Sequence, residues 1–307
     1  MLIITQTALE LGFLYALVAM ALFLSYRILD IADLTTDGCF VLGAAVSVTV
    51  TAAGHPILGI FAAMLAGACA GFVTAFLQTK LGVPSILAGI VTNTGLYTVN
   101  LMAMGWKSNQ SLLGGKTVFT MLRETGIGGD WYELLLAASV TILAGLLLVL
   151  FLSTRMGLSI RATGDNAAMV RASSINPAFT ITVGLCVSGA LCALSGGLLA
   201  QYQKSCDINV GTGMVTIALA SLIIGETLVG KRTMLRRILG VVFGSCLYRF
   251  IVAVALRFNV PAAAMKLVSA IIVAVAISMP AIREHFAFEK RRHAARARRT
   301  VTNREGQ

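Results

Sequence analysis

Long apolar segments separated by short polar ones make up most of this 307-residue sequence. A helix needs about 20 apolar residues to cross the hydrocarbon core of a bilayer, so each such segment is a candidate membrane span. Breaks at charged residues, glycine and proline divide the sequence into about nine spans. We expect an all-α polytopic membrane protein with spans near residues 9–26, 39–53, 57–78, 85–105, 132–153, 178–200, 213–230, 238–256 and 262–282.

The polar segment 155–177 separates the fifth predicted span from the sixth. Gly164 is expected to interrupt the chain, after which Asp165 or Asn166 can cap a helix with its side-chain oxygen. The following residues favour a helix, and Pro177 ends it, because proline cannot extend a helix and biases the preceding residue away from helical backbone. We therefore predict a capped helix of about two turns between two membrane spans.

Composition agrees with a membrane protein. Hydrophobic residues make up 57% of the sequence, charged residues 12%, and the mean hydropathy is +0.87, whereas soluble proteins contain about 25% charged residues. The net charge of +11 could indicate nucleic-acid binding, but most of the excess lies in loops and in the C-terminal tail. The tendency of basic residues to stay on the cytoplasmic side of membrane proteins explains the charge better, so no nucleic-acid partner is expected.

The same tendency predicts an orientation. If the segment 155–177 is cytoplasmic and the spans alternate, roughly 17 basic residues lie inside and roughly 6 outside. The N-terminus is then outside and the C-terminus in the cytoplasm. The sequence divides into a transmembrane domain, residues 1–284, and a basic cytoplasmic tail, residues 285–307, which anionic lipid would attract.

The sequence offers little for catalysis or for metal binding. Its six cysteines contain no Cys-x-x-Cys pair, and its three histidines lie at a turn and in the tail. Neither a metal site, a disulfide framework nor a Ser–His pair is therefore predicted. Residues 225–232 are similar to a phosphate-binding loop, but Arg232 stands where serine or threonine must bind magnesium, and an apolar helix precedes them. We expect no enzyme activity and no cofactor.

Several polar side chains fall inside predicted spans, where they are costly against lipid and usually turn inward. Asn93 and Asn100 are seven residues apart and lie on one helix face, as do Ser188 and Ser195. These four residues either line a translocation path or bond neighbouring helices.

Two charged residues are expected in the outer half of the membrane, Glu10 in the first span and Arg249 in the eighth. An ion pair between them would lower the cost of holding both charges in lipid. We prefer this pair to a contact between Arg249 and a substrate.

Two weaker patterns concern symmetry and packing. The motif at 33–38 is echoed at 207–211, on the opposite side of the membrane in the predicted topology, as in the inverted repeats of transporters. Chance similarity is an equally good explanation. Glycines four residues apart allow close contact between helices, within one chain or, as the less favoured alternative, between two copies, at Gly67, Gly71, Gly240 and Gly244.

The residues from Gly157 to Asn176 resemble the cytoplasmic coupling segment of ABC importer permeases of the branched-chain amino-acid and ribose type. The similarity continues at 33–38 and 107–113 and covers nearly the whole sequence except the tail. It is greatest with the permease subgroup usually paired with tryptophan- or tyrosine-type binding proteins. The resemblance implies a permease subunit of the bacterial cytoplasmic (inner) membrane; an ion-coupled secondary transporter of small solutes is the alternative.

The resemblance also implies partners and site residues. The short helix would dock into a groove on a separate ATPase subunit, which binds the ATP. The permease would work as a homodimer with an extracytoplasmic substrate-binding protein, and an aromatic or other amino acid is the favoured solute. Our own candidate for the docking site of that protein is the polar segment 106–131. Met169, Val170 and Ile175 would give apolar contact with the ATPase. The complete set of expected coupling residues is Arg161, Asp165, Asn166, Met169, Val170, Arg171 and Ile175.

Overall fold

The computed structural model of the protein describes residues 2–112, 114–124, 126, 129–230, 233–257, 267, 270–271, 273–275 and 278. Two thirds of the predicted ninth span and the whole basic tail lie outside the described residues. The helices are α1 (Leu2–Leu22), α2 (Thr36–Ala52), α3 (Pro56–Thr79), α4 (Ser85–Ala103), α5 (Val118–Glu124), α6 (Tyr132–Ser153), α7 (Arg155–Asp165), α8 (Ala167–Ala172), α9 (Pro177–Gln203), α10 (Met214–Val229) and α11 (Met234–Arg257).

Short elements of other kinds complete the described chain. A π-helix, Phe23–Ile28, continues α1, and a 3₁₀ turn, Gly129–Trp131, precedes α6. Strands β1 (Asn109–Ser111) and β2 (Ser205–Asp207) form an antiparallel ribbon. All other regular elements among the described residues are α-helices, as predicted.

Six helices in the described part of the chain are long and apolar enough to cross a membrane: Thr5–Ile28, Pro56–Thr79, Ser85–Ala103, Tyr132–Ser153, Pro177–Gln203 and Met234–Arg257. The apolar helices α2 and α10 are shorter, with 17 and 16 residues. At 1.5 Å per residue each is about 25 Å long, less than the hydrocarbon core of about 30 Å. The protein is an all-α polytopic membrane protein, and α2 and α10 coincide with the predicted second and seventh spans.

The centre of the helix bundle is formed by α1 and α9. Their most apolar windows are each 78% buried, against 28–39% for the other long spans. In α1, Leu14, Leu17 and Met20 have no exposed surface. A helix that is apolar on every side requires such burial by neighbouring helices.

Glycines allow the central helices to approach closely. A Cβ atom added to Gly67 or Gly71 of α3 would overlap backbone carbonyls of α9, at Gly189 and Leu185. Gly244 of α11 is packed in the same way against α10. Both glycine pairs therefore serve contacts within one chain, which is the preferred alternative of the sequence analysis.

Polar connections gather at two opposite ends of the bundle. At one end, the Gln201 amide donates to Thr51 Oγ1 at 3.1 Å and to the Pro56 carbonyl at 2.9 Å, and its oxygen accepts from the Val118 N–H at 3.0 Å. This amide ties α9 to the α2–α3 turn and to α5, beside the β-ribbon. The other end holds the π-helix, α7 and α8.

Candidate functional site

The polar segment after α6 folds into two helices, α7 and α8, which meet at Asn166. Asn166 has an extended backbone (φ −160°, ψ 97°), and its Oδ1 accepts from the N–H groups of Ala168 and Met169, both at 3.0 Å. The side chain thus satisfies two N–H groups that have no partner within α8. The capped short helix is present as predicted, whereas α7 was not anticipated.

The expected chain break at Gly164 is wrong. Gly164 lies inside α7, and a Cβ atom there would overlap the carbonyl oxygen of Ile28. The glycine is required because α7 packs directly on the π-helix that ends the first span. The chain turns two residues later, at Asn166, where a side-chain cap is available.

Buried contacts fix α7 to the membrane helices. Ile160 has no exposed surface, and the hydroxyls of Thr163 and Thr180 share a hydrogen bond of 2.8 Å. Thr180 belongs to α9, so α7 is attached both to the central helix and, through Gly164, to the first span. A force applied to α7 therefore reaches two spans directly.

The predicted coupling residues differ in their accessibility. Met169 is 69% exposed, whereas Val170 is 4% exposed. Successive residues of a helix face different directions, so Val170 packs inside the chain and is not available for apolar contact with a partner, contrary to expectation. Of the others, Asp165, Asn166 and Arg171 are exposed, and Arg161 and Ile175 are half-buried.

An exposed apolar side chain on α7 was missed in the sequence. Leu158 is 52% exposed, and Ala162 and Asp165, four and seven residues later, are also exposed. This spacing places the three residues on one face of the helix. The signal becomes visible only when 155–165 is assigned as helix. We call the exposed residues Leu158, Ala162, Asp165, Met169 and Arg171 the coupling surface.

An ion pair joins the π-helix to the end of α10. The Nε of Arg27 donates to Glu226 Oε1 at 3.0 Å, and the Glu226 side chain is only 8% exposed. Because Ile28, the next residue, contacts α7 at Gly164, the pair lies beside the base of the coupling segment. Glu226 falls in the stretch that is similar to a phosphate-binding loop, but here it belongs to helix α10.

A polar cavity of about 290 Å³ lies between the start of α2, the middle of α4 and the loop after β2. Two of the four predicted path residues, Asn93 and Asn100, line it. Tyr97, which is 52% exposed, also lines the cavity. The lining residues are Asp37, Gly38, Val41, Asn93, Thr94, Tyr97, Asn100, Ile208, Asn209, Gly211 and Thr212.

The Asp37 carboxylate connects two helix N-termini at this cavity. It lies in the first turn of α2 and accepts from the N–H groups of Gly213 at 3.1 Å and Val215 at 2.9 Å. These groups open α10, where a carboxylate is favoured by the helix dipole. The starts of both shorter helices are therefore held together beside the cavity.

The two related sequence motifs adopt the same local turn. Asp33 Oδ1 accepts from the N–H of Thr35 at 2.9 Å, and Asp207 Oδ1 accepts from the N–H of Asn209 at 2.7 Å. Each aspartate thus bonds the residue two positions later, and each turn leads into a shorter apolar helix. In addition, Gly211 lies against the backbone of Asp37. The two motifs therefore meet, and the expectation that they lie on opposite sides of the membrane is wrong.

Ser188 and Ser195 do not line this cavity. Both are buried, and their hydroxyls donate to backbone carbonyls of α1, at Ala21 (2.9 Å) and Leu14 (2.6 Å). They bond α9 to α1, which is the second of the two roles open to them, and this corrects their place among the path residues. Serine is well suited to such contacts because it is small enough for close helix packing.

The expected ion pair between Glu10 and Arg249 does not form. Glu10 accepts from the Gln6 amide at 3.0 Å and from the Tyr202 hydroxyl at 2.8 Å. The Arg249 guanidinium lies 3.5 Å from the centre of the Tyr15 ring, a cation–π contact that partly compensates for lost solvation. Glu10 and Arg249 therefore each contact an uncharged side chain on a different helix.

The segment expected to dock a binding protein is held to the bundle by the β-ribbon, in which Gln110 is paired with Cys206. Trp106 is 69% exposed and Trp131 is 47% exposed. An exposed ion pair of 3.0 Å joins Lys116 to Glu124. Burial, with a smaller effect of Asp207, raises the pKa of the Cys206 thiol to about 12.

Comparisons with known proteins agree with these features. Residues 4–277 match the family described as branched-chain amino acid transport system, permease component. The tyrosine transport system permease protein of Clostridioides difficile is 33% identical over 259 residues, which cover 84% of this chain and 85% of that protein. An uncharacterized protein of Rickettsia prowazekii is 30% identical over 276 residues, covering 89% of this chain and 96% of the other. The autoinducer 2 import system permease protein of Salmonella typhimurium is 28% identical over 213 residues, with coverage of 68% and 58%. No solved structure matches the chain.

Proposed function

The chain belongs to the family of branched-chain amino acid transport permease components, and from this membership we propose how it couples ATP hydrolysis to solute uptake. It is the membrane-spanning permease of an ABC importer, a transport subunit without a catalytic role or a cofactor of its own. ATP is bound by a separate ATPase subunit. In our proposal that subunit contacts the coupling surface.

One observation carries this assignment: α7 and α8 project exposed side chains from a segment whose other side is fixed to membrane helices. Met169 and Leu158 are exposed apolar side chains, while Gly164 and Thr163 attach the segment to the first span and to α9. A rigid element with one free face and one anchored face suits the transfer of movement from a motor subunit.

The proposed route of movement passes through α10. When the ATPase dimer closes on ATP, it displaces α7 and α8 and with them the π-helix. The Arg27–Glu226 pair transmits this displacement to the end of α10. The opposite end of α10 is bonded to Asp37 at the polar cavity, so the walls of the cavity change with the state of the ATPase.

We place the coupling surface in the cytoplasm. The N-terminus is then outside, the C-terminus inside, and residues 106–131 face outward to a substrate-binding protein. This orientation rests on the excess of basic residues on one side. Residues 1–284 form the transmembrane domain with nine spans, and residues 285–307 a cytoplasmic tail near anionic lipid. The membrane is the bacterial cytoplasmic membrane.

The spans are proposed to form two inverted repeats, and the permease to act as a homodimer. Support for the repeat comes from the equivalent turns at Asp33 and Asp207, each leading into a shorter apolar helix. Discontinuous spans of this kind surround substrate sites in other transporters.

The solute is proposed to be an aromatic or other amino acid. The names of two relatives refer to tyrosine and to autoinducer 2, so a small polar solute fits both.

Reconstitution tests the function. The permease is co-expressed with the ATPase subunit, purified and placed in liposomes with the binding protein outside and labelled amino acids as probes. We expect co-purification and uptake that requires ATP in the lumen. Uptake driven by an ion gradient without ATP would instead support a secondary transporter.

A further inference from the structure

The lining of the polar cavity carries a negative charge but no positive one. It contains one carboxylate, three amides, two threonine hydroxyls and a phenol, but no lysine or arginine. A negatively charged group of a solute would meet only amide and hydroxyl groups among these lining residues, and no positive side-chain charge. A solute group with a positive charge and several donors matches this lining better.

The Asp37 carboxylate retains hydrogen-bonding capacity. A carboxylate can accept about four hydrogen bonds, and Asp37 accepts two, from Gly213 and Val215. No described lysine or arginine forms an ion pair with it. The side chain is half-buried at the cavity wall. The remaining acceptor positions are therefore suited to a ligand as well as to water.

Asn100 supplies a second, independent sign of a ligand. It is 2% exposed and lines the cavity. Its Nδ2 donates to the Gly38 carbonyl at 3.2 Å, which fixes the orientation of the amide, because only the nitrogen can donate. The buried Oδ1 on the other side has no hydrogen-bond partner. Buried acceptors are rarely left unpaired. The atom is covered in this structure, so a donor in the cavity can pair with it only after the Asn100 side chain shifts toward the cavity.

We infer that the cavity is a solute site and that it binds the ammonium group of a free amino acid. Asp37 acts as the counter-ion, and the ring of Tyr97 faces the rest of the solute. Asn100 Oδ1 accepts one ammonium hydrogen once its side chain has shifted toward the cavity. The inference rests on the proposed function, because it assumes that solute passes through this chain. The volume of about 290 Å³ lies at the lower end of ligand pockets, about 300–1,000 Å³. This volume suits a single amino acid better than a peptide.

The assignment also gives the Asp37 contact with α10 a purpose in transport. The same carboxylate would hold the solute and the first N–H groups of α10. A displacement of α10 would alter the position of these donors relative to Asp37, and with it the affinity for the ammonium group. Solute release would then follow the state of the ATPase.

Equilibrium binding to the permease–ATPase complex in nanodiscs, without the binding protein, tests the site. Each of the standard amino acids serves as a labelled probe, and the tightest binder is then displaced by its amine analogue and by its desamino acid. We expect displacement by the amine and at least 10-fold weaker displacement by the desamino acid. If no amino acid binds, or if the desamino acid competes as well as the amine, the inference is overturned.

Variants locate the site. Asp37→Asn keeps an oxygen for capping α10 but removes the charge, and should weaken binding at least 10-fold. Asn100→Ala, which leaves the charge in place, should weaken it several-fold. Asp207→Asn is the matched control. Asp207 is exposed at the end of β2 and does not line the cavity, and asparagine keeps the oxygen that accepts from Asn209, so binding should be unchanged. Co-purified ATPase and basal ATP hydrolysis verify assembly. Unchanged affinity in both cavity variants would refute the assignment.

Failure of the inference is separable from failure of the proposed function. If wild-type complex with its binding protein shows no ATP-dependent uptake, the proposed function fails. If uptake is normal but Asp37→Asn binds and transports like wild type, only the ammonium site fails.

Discussion

Truncation of Met169 is the sharpest perturbation of the coupling surface, because this side chain is 69% exposed and its removal leaves no cavity in the permease. Burying a whole methionine side chain contributes about 1.5–3 kcal/mol. The exposed 69% would therefore contribute about 1–2 kcal/mol when a partner covers it. Met169→Ala should weaken the complex with the ATPase about 5- to 30-fold.

Affinity is measured by passing purified ATPase over permease nanodiscs that are immobilised on a biosensor surface. ATP-dependent uptake in liposomes is the functional readout. Met121→Ala is the matched control. Met121 is also exposed, at 39%, but lies in the segment assigned to the outer face, so its removal should leave ATPase affinity unchanged.

Val170→Ala separates docking from folding. Val170 is buried, so its truncation should lower the thermal stability of the permease while affecting ATPase affinity less than Met169→Ala. Equal affinity of Met169→Ala and wild type, or an equal loss with Met121→Ala, would refute the docking argument.

Three further predictions address other parts of the account. Arg27→Ala should reduce uptake about 5-fold or more while the ATPase stays bound, because it cuts the proposed link to α10. The charge-exchanged variant Arg27→Glu/Glu226→Arg can form the pair again and should recover part of the uptake; the idea fails if Arg27→Ala transports normally. Ser195→Ala should lower stability by about 0.6 kcal/mol in thermal unfolding and leave amino-acid binding unchanged; a selective loss of binding would return Ser195 to the path. At pH 8 a maleimide should leave Cys206 unmodified, because a pKa of about 12 makes the thiolate fraction about 10⁻⁴. The labelling rate should rise as the pH approaches 12. Rapid labelling of Cys206 at pH 8 would contradict the burial of this thiol.

Much of the fold follows from local patterns in the sequence. Span positions depend on length and hydropathy, which are properties of each segment alone. The cap at Asn166 was also predictable, since asparagine is a strong helix cap and Pro177 ends the segment. Both features need no knowledge of neighbouring helices.

The direction of individual side chains and their contact partners could not be predicted from local patterns. Val170 and Met169 are adjacent and similarly apolar, but one is buried and the other exposed because α8 packs on one face only. The sequence around Gly164 indicates a chain break, but this glycine is needed for a close contact with Ile28. Ile28 lies 136 positions earlier in the sequence, so the residues around Gly164 give no sign of this contact. Such distinctions arise from tertiary packing.

The charged and hydroxylated residues illustrate the same limit. Arg249 is placed over the Tyr15 ring instead of beside Glu10, and Arg27 pairs with Glu226, 199 residues away. Ser188 and Ser195 share a helix face, as predicted, but that face meets α1. Periodicity identifies which residues lie together on a face, whereas the neighbour of that face is decided by the whole bundle.

Photo-crosslinking from position 169 in the assembled transporter tests the central claim most directly. A benzophenone amino acid replaces Met169, and a second transporter carries it at Lys116 in the outward segment as a comparison. The account predicts that the probe at 169 forms an adduct with the ATPase subunit and the probe at 116 does not. An adduct from 169 to the binding protein, or none to the ATPase in a transporter that is active, would contradict it.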